Sequence, residues 1–276
     1  MKSNLPDDLA AALDRARPRL GRLASAVVFF DTIGSTNDEA ARQSLVVGHQ
    51  SLVAGGEGVV VVADQQTAGR GRRGHTWFSP AGSGLYVSVV LAPASARTDP
   101  ARATTLLTLA AGVALAEGIE QATGLRVDLK WPNDLQITRR KLGGILAESS
   151  GPGARTDTVV VGYGLNVLAT AFPPELCDRA TSLESELGRA IDRHLLLAET
   201  LAALSARYED LLAGRFDAIL DAWRCLAPAA TGARVEWTTN AGTATGITAG
   251  IDVVGALLVR IGDRVERIVS GEVTWL

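Results

Sequence analysis

Residues 64–77 concentrate the side chains of this chain that are best suited to binding an anion. The segment Gly69–Gly74 contains three glycines and three arginines, and Trp77 follows soon after it. Glycine lets a backbone approach a ligand closely because it has no Cβ. Arginine presents a planar, permanently charged fork that suits carboxylate and phosphate groups. We therefore expect residues 69–74, here called the arginine loop, to close over a small anionic ligand.

The glycines of the arginine loop also match the dinucleotide-binding spacing Gly-x-Gly-x-x-Gly, but the residues after them do not. That fingerprint needs a helix directly after the glycines, so that the helix N-terminus receives the pyrophosphate. Here Thr76–Pro80 follows, which is a β-type pair leading into a proline turn. A Walker A loop is excluded because no Gly-Lys-Ser/Thr follows. The remaining alternative is a solvated loop that binds nothing.

Lysine is rare in this chain, and two of its lysines, Lys130 and Lys141, lie within the predicted folded body. Only Lys2, Lys130 and Lys141 occur among 27 basic residues, so arginine is the preferred cation. A lysine kept inside the folded body indicates a place where a compact ammonium is needed and a broad guanidinium does not serve. The alternative for Lys141 is a solvated turn residue.

The overall composition argues against several classes of protein: those that bind nucleic acid, span a membrane, are secreted or hold a metal ion. The net charge is −3, which does not favour nucleic acid as a partner. No apolar run is long enough to span a bilayer and no secretory signal is visible, so we expect a cytoplasmic protein with no membrane partner. Cys177 and Cys225 lack Cys-x-x-Cys spacing, and we interpret them as buried thiols of a reducing compartment. His49, His75 and His194 form no His-x-x-x-His pair, so no metal site is expected.

The hydrophobic pattern predicts an α+β fold. Buried strands are predicted over 26–30, 59–63, 85–91, 127–131 and 158–161, and helices over 101–121 and 195–212. Residues 182–187 are predicted to be a loop or turn, and 135–140 a hairpin connection. From Thr231 onward, short strands broken by glycine indicate a small SH3-like barrel. The predicted domains are an N-terminal extension (1–25), a main domain (26–228) and a C-terminal domain (229–276).

Polar residues at strand ends are candidates for a ligand site. In the strand 127–131, Asp128 and Lys130 face the side opposite Leu129, which indicates a wet cleft beside that strand. Ser35, Thr36 and Asn37 precede a predicted helix. Thr36 and Glu39 match a capping box, so helix capping and ligand binding both stay open for these residues.

Five motifs together, in order and spacing, resemble the biotin–protein ligases. They are Gly34–Asn37, Gln66 with the arginine loop, Lys130–Asp134, Lys141–Leu146, and Gly162-x-Gly164-x-Asn166. The resemblance covers roughly residues 26–276. It implies a mixed sheet with flanking helices, as in class II aminoacyl-tRNA synthetases, followed by an SH3-like domain. The residues before the first strand are too few for a winged helix-turn-helix, so the chain resembles the monofunctional type and no DNA partner is expected.

The resemblance implies a two-step reaction. The carboxylate of biotin attacks the α-phosphate of ATP, which is bound with Mg²⁺, and gives biotinyl-5′-adenylate and pyrophosphate. A lysine of a biotin carboxyl carrier protein then attacks the acyl carbon and releases AMP. The implied enzyme is a monomer or a weak homodimer. Its Mg²⁺ is expected to be bound mainly by the phosphates with few protein ligands, and the sequence identifies none of them.

The same resemblance assigns roles to residues of this chain. Lys141 and Arg70 are the implied catalytic residues, because two anions must meet and need positive charge. The implied biotin-binding set is Ser35, Thr36, Asn37, Gln66, Arg70, Gly71, Arg72, Lys141 and Gly144. The implied ATP- or adenylate-binding set is Gly69, Arg70, Arg72, Trp77, Lys130, Asn133, Asp134, Lys141, Gly164 and Asn166. The alternative is a lipoate– or octanoate–protein ligase of the same fold, although the polar residues from Ser35 to Gln66 suit a ureido ring better than a lipoyl tail.

Overall fold

A computed structural model of the chain describes residues 2–47, 56–149, 158–169, 172–239 and 242–276. His49 lies outside the described residues. The α-helices are α1 (Asp7–Ala16), α2 (Thr36–Val47), α3 (Pro100–Thr123), α4 (Leu183–Leu187), α5 (Arg193–Leu212) and α6 (Phe216–Leu226). The strands of a first sheet are β1 (Lys2–Ser3), β2 (Ala26–Ile33), β3 (Val59–Gln66), β4 (Gly84–Leu91), β5 (Asp128–Lys130), β6 (Asp134–Ile137), β7 (Arg140–Ser149) and β8 (Val159–Asn166). Those of a second sheet are β9 (Thr231–Thr239), β10 (Gly242–Ile251), β11 (Leu257–Ile261), β12 (Arg264–Ile268) and β13 (Val273–Trp275).

The first sheet is mixed, with strand order β1-β2-β3-β4-β8-β7-β6-β5. Strands β2 and β3 run parallel, since helix α2 lies in the connection between them, and the other neighbours are antiparallel. The expectation of a mixed sheet with flanking helices is therefore confirmed. Strands β2, β3 and β8 continue beyond their predicted ends, so Ile33, Gln66 and Asn166 are the last residues of strands.

Two apolar layers cover the two faces of this sheet. Val60 and Val62 of β3 belong to the main core with α3 and α5, whereas Val59 and Val61 pack with Ala40 of α2. Because successive strand residues point to opposite faces, a strand covered on both sides reads as a continuous apolar run. This explains why the valines of β3 and the apolar residues of β4 were recognisable as buried strands.

Helix α3 is the centre of the helical layer. The expectation that no apolar run is long enough to span a bilayer was wrong for this helix, which is long and apolar enough by length and composition. However, 72% of its most apolar window is buried within the protein. The predicted helix over 101–121 is confirmed, and its buried residues lie on most of its faces. Helix α1 packs on the same core through Leu9 and Leu13, so residues assigned to the N-terminal extension form part of the main packed body.

The second sheet is antiparallel, with strand order β12-β11-β10-β9-β13. It begins at Thr231, directly after a short 3₁₀ turn at Pro228–Ala230. Its buried residues, including Val235 and Trp237, are continuous with the main core. The indole N–H of Trp131 donates to the carbonyl of Gly255 at 3.0 Å, which joins the second sheet to the strand end beside the predicted cleft.

Three local predictions were wrong. Residues 135–140 include most of strand β6, which begins at Asp134. This strand has too few residues to show a periodic pattern and is stabilised by pairing with both β5 and β7. Residues 183–187 form helix α4, capped by the Ser182 hydroxyl, which accepts from the Ser185 N–H at 3.3 Å. Cys177 and Cys225 were predicted to be buried thiols, and both are free but exposed. Cys225 is exposed because it lies outside the buried stripe of helix α6.

We expect the contact between α3 and α5 to be sensitive to a single methyl group. A Cβ at Gly118 would lie 2.6 Å from Cα and 2.8 Å from N of Thr200, so the Gly118→Ala variant must move one helix backbone. Such overpacking costs about 1–3 kcal/mol, which we expect to see in urea unfolding followed by circular dichroism.

The matched control is Gly112→Ala on the same helix. Its Cβ would meet the Leu129 side chain at an ordinary 3.5 Å, so the gain in helix propensity, up to about 1 kcal/mol, is expected to dominate. Equal midpoints for the two variants would show that the backbone contact does not limit stability.

Candidate active site

A cleft of about 490 Å³ lies where the arginine loop, strands β7 and β8, and the segment 271–273 of the C-terminal part meet. Nearly all of the residues proposed from the sequence line it. They are Ser35, Thr36, Asn37, Gln66, Arg70, Gly71, Arg72, Trp77, Lys130, Asn133, Asp134, Lys141, Gly144, Gly164 and Asn166. Gly69 has a different position. A Cβ there would lie 2.5 Å from the carbonyl oxygen of Trp77, so this glycine permits the loop to fold rather than lining the cleft.

One end of the cleft is a network of neutral hydrogen-bonding groups. The amide oxygen of Gln66 accepts from the backbone N–H of Thr36 at 2.8 Å and from its hydroxyl at 3.1 Å. The Gln66 amide nitrogen donates to Ser79 at 3.0 Å, which fixes the amide orientation. The Ser88 hydroxyl lies 2.8 Å from the Thr36 hydroxyl and 2.6 Å from Oδ1 of Asn37. Thr36 therefore begins helix α2 and also takes part in a polar network that faces the cleft.

Two glycines of β8 allow side chains to lie directly on the sheet. A Cβ at Gly162 would lie 1.8 Å from Oδ1 of Asn37, and a Cβ at Gly164 would lie 2.2 Å from the indole nitrogen of Trp77. Any larger residue at either position would displace these side chains. The glycines thus form the floor of the cleft, with Asn37 and Trp77 resting on it.

The indole N–H of Trp77 has no hydrogen-bond partner among the described residues, although it is buried. An unsatisfied buried donor costs about 1–3 kcal/mol. A ligand with an acceptor at this point would remove that cost. The orphaned donor therefore marks the part of the cleft between Gly164 and Lys141 as a place for a polar ligand atom.

Lys141 presents its ammonium group in the cleft. Its Nζ lies 2.6 Å from Oδ1 of Asp134 and 5.5 Å from the centroid of the Trp77 ring. Its backbone N–H donates to the carbonyl of Arg179 at 2.7 Å, and its carbonyl accepts from Thr181 at 2.9 Å. These bonds hold the main chain on both sides of the ammonium.

Lys130 is a second ammonium in the same cleft. Burial lowers its pKa, and the nearby charge of Asp134 partly offsets this effect. Its Nζ lies 5.0 Å from the centroid of the Trp275 ring, in the last strand of the C-terminal sheet. Glu272 also favours the charged forms of Lys130 and Arg72. The C-terminal part therefore contributes directly to the electrostatics of the cleft.

The arginines of the loop have specific partners. The guanidinium of Arg70 donates to the carboxylates of Asp38 and Glu148. The sequence had indicated that this guanidinium faces substrate anions, and in the structure two protein carboxylates occupy its η nitrogens. Arg72 donates to the amide oxygen of Asn133 at 3.2 Å, and its pKa is lowered by burial and then by the charge of Arg73.

Two asparagines of the motifs shape the walls of the cleft. The amide nitrogen of Asn133 donates to the carbonyl of Ile145 at 2.7 Å, next to strand β7. That of Asn166 donates to the carbonyl of Thr181 at 3.0 Å. Because their donors are used within the protein, these side chains fix the main chain on either side of Lys141.

The sequence analysis missed Glu272, which lines the cleft, and three residues that bond to lining residues: Asp38, Ser88 and Glu148. Ser88 carried a signal, since it is the only serine or threonine of strand β4, where Tyr86 is the other residue with a hydroxyl. Glu148 lies just beyond the Lys141–Leu146 motif, but nothing in the sequence indicates that it pairs with Arg70. Among the described residues, no group of three or more His, Cys, Asp or Glu is arranged to hold a metal ion.

The residues of this cleft fall within a known family. A model of the biotin/lipoate A/B protein ligase family matches residues 35–166. The bifunctional ligase/repressor BirA of Bacillus subtilis is 39% identical over 219 residues, and the match covers 79% of this chain and 66% of that protein. The chain thus spans a little under two thirds of the length of the bifunctional relatives.

Two further relatives, one compared by sequence and one by structure, are matched over most of their own length. The biotin–[acetyl-CoA-carboxylase] ligase of Paracoccus denitrificans is 36% identical over 206 residues, covering 72% of this chain and 83% of that protein. The structure of biotin protein ligase from Aquifex aeolicus in complex with biotin and ATP superposes with a TM-score of 0.70 at 27% identity, covering 91% of this chain and 99% of that one. On the sequence motifs, the fold and these matches, the chain belongs to the biotin–protein ligase family.

Proposed function

We propose that this protein uses ATP to convert biotin to biotinyl-5′-adenylate and transfers the biotinyl group to a lysine of a biotin carboxyl carrier protein. The observation that carries the proposal is the pairing of two environments in one cleft. The Gln66–Thr36–Ser88–Asn37 network offers neutral donors and acceptors. The ammonium of Lys141 and the arginine loop provide positive charge along the same cleft. A ureido ring with a carboxylate tail, joined to a nucleotide phosphate, has this distribution of groups.

The chemistry follows from the arrangement of charge. In the first step, a carboxylate oxygen of biotin forms a bond to the α-phosphorus of ATP, and the bond to pyrophosphate breaks. Two anions must approach each other, and the Lys141 ammonium reduces their repulsion. Asp134 holds that ammonium at 2.6 Å, which fixes its position before the substrates arrive. In the second step, the acceptor amine forms an amide bond to the acyl carbon, AMP leaves, and the amine loses a proton.

Residues of the cleft divide between the two ligands. Ser35, Thr36, Asn37 and Gln66 bind the ureido ring, with Gly144 beside it. Trp77, Lys130, Asn133, Asp134, Gly164 and Asn166 form the nucleotide side, where Mg²⁺ enters with ATP. Arg70, Gly71 and Arg72 belong to the loop that covers the reacting groups, with Gly69 at its base. The orphaned indole N–H of Trp77 supports this division, because it offers a donor beside Lys141.

The C-terminal sheet completes the proposal. Residues 229–276 act as an SH3-like domain that follows a catalytic domain of residues 26–228, and helix α1 of residues 1–25 packs on the core of that catalytic domain. Trp275 and Glu272 face Lys130, so this domain borders the nucleotide side. The protein acts in the cytoplasm as a monomer or a weak homodimer, with the carrier protein as its partner and with neither DNA nor membrane.

The proposed function is tested by the intact mass of a carrier domain. We expect incubation with this protein, ATP and biotin to add one biotinyl group, and incubation with lipoate or octanoate in place of biotin to add nothing. The reason is that a neutral polar network has partners for a ureido ring and none for a lipoyl or octanoyl chain. Modification by lipoate or octanoate with none by biotin would favour the alternative ligase. No modification with any of the acids would overturn the proposal.

A second test removes the ammonium from the cleft. The Lys141→Ala variant is expected to release pyrophosphate about 10²–10³-fold more slowly, equal to about 3–4 kcal/mol of transition-state stabilisation. Lys141→Arg is not expected to restore the rate, because a broad guanidinium cannot replace a compact ammonium beside Asp134.

The control for this test is Arg126→Ala. The Arg126 side chain is 85% exposed and is paired with Glu120. Its removal is expected to leave the rate unchanged. If Lys141→Ala formed the adenylate as fast as this control does, Lys141 would have no part in the chemistry.

A further inference from the structure

Arg70 of the arginine loop is bound by carboxylates from two separate elements. One η nitrogen donates to Asp38 in the first turn of α2, and the other donates to Glu148 near the end of β7. Asp38 precedes Arg70 by 32 residues in the sequence and Glu148 follows it by 78, so only the fold brings the three residues together. A single exposed ion pair contributes little to stability. One guanidinium held at two points is also fixed in orientation, which a single pair does not achieve.

The loop that carries Arg70 is itself a small hairpin. Arg70 pairs with Thr76, the N–H of Gly71 donates to the carbonyl of His75 at 2.7 Å, and the N–H of Trp77 donates to the carbonyl of Gly69 at 2.9 Å. These bonds make the hairpin one unit. Restraining Arg70 therefore restrains the whole unit, including Trp77, which lies over the floor of the cleft.

Glu148 has a second partner at the polar end of the cleft. Its other carboxylate oxygen accepts from the amide nitrogen of Asn37 at 2.9 Å, and Asn37 in turn lies 2.6 Å from the Ser88 hydroxyl. Glu148 is thus bonded to both the ligand end and the loop. A ligand that orders Asn37 also orders Glu148, and through it the loop.

We propose that Asp38 and Glu148 form a two-point latch on Arg70 that keeps the arginine loop closed over the adenylate, and that Glu148 couples this closure to occupancy of the Asn37 end of the cleft. Both are positioning residues, since they act through Arg70. This inference rests on the proposed function for the identity of the retained ligand. The latch itself depends only on the contacts described above.

The latch is tested with Asp38→Asn, Glu148→Gln and the double variant. The first readout is the rate of trypsin cleavage after Arg70, Arg72 and Arg73, followed by mass spectrometry, which needs no substrate. Loss of one exposed ion pair is expected to raise the rate about fivefold, and the double variant is expected to exceed either single change. Asp38→Glu keeps the charge and is expected to keep the rate near that of the unmodified protein.

The second readout is the ratio of pyrophosphate released to biotin transferred in the presence of a carrier domain. A loosened loop lets adenylate escape, so we expect the ratio to rise above that of the unmodified protein in each charge-removing variant. Added salt is expected to raise it in the unmodified protein as well, because exposed ion pairs are screened. Only Glu148→Gln is expected to raise the KM for biotin in addition, since Asp38 has no bond to Asn37 among the described contacts.

Asp221→Asn is the control. It removes a carboxylate that is 72% exposed and paired with Arg224 on α6, away from the cleft. Its cleavage rate and ratio are expected to match those of the unmodified protein. A double variant that is cleaved at the loop no faster than this control would overturn the latch. Faster cleavage in a protein that releases no pyrophosphate with biotin and ATP would support the latch and overturn the proposed function.

Discussion

The cleft depends on a stretch of strand β8 that has no side chains on the face toward α2 and the arginine loop. Gly162 and Gly164 leave the backbone bare, and Asn37 and Trp77 lie against it at distances that no Cβ would allow. The polar end and the indole therefore share one floor. A residue as small as alanine at either glycine would lift one of these side chains and separate the two halves of the cleft.

On this floor the charges are arranged in pairs rather than left isolated. Asp134 holds Lys141 and also favours the charged form of Lys130, whose pKa burial lowers. A buried cation without such a partner would tend to lose its proton. Arginine serves elsewhere in the chain, where a broad fork can bridge two groups, as Arg70 does between Asp38 and Glu148. Lysine is rare in this sequence, and the two lysines of the cleft, Lys130 and Lys141, stand where a compact ammonium faces the ligand site.

Much of this could be predicted from sequence where the signal is local. The alternation around Leu129 gave the correct faces of β5, and the glycine and arginine spacing located the loop. Strand β6 was missed because four residues carry no period, and its existence depends on two neighbours. Ser88 could not be linked to Asn37, nor Glu148 to Arg70, because these pairs meet only through sheet order and register. Cys225 was wrongly predicted to be buried, because the residue type alone does not tell which side of a helix a cysteine occupies.

Helix α3 has a consequence for synthesis of the chain. Its apolar surface is covered by α5, against which Gly118 packs closely, yet α5 is complete only at Leu212. At the usual pace of translation, about 5–20 residues per second, roughly 4–20 s pass between completion of the two helices. Because both helices leave the ribosome in chain order, the apolar surface of α3 that faces α5 spends a similar interval without its partner. Until α5 emerges, this surface of the nascent chain is exposed to aggregation.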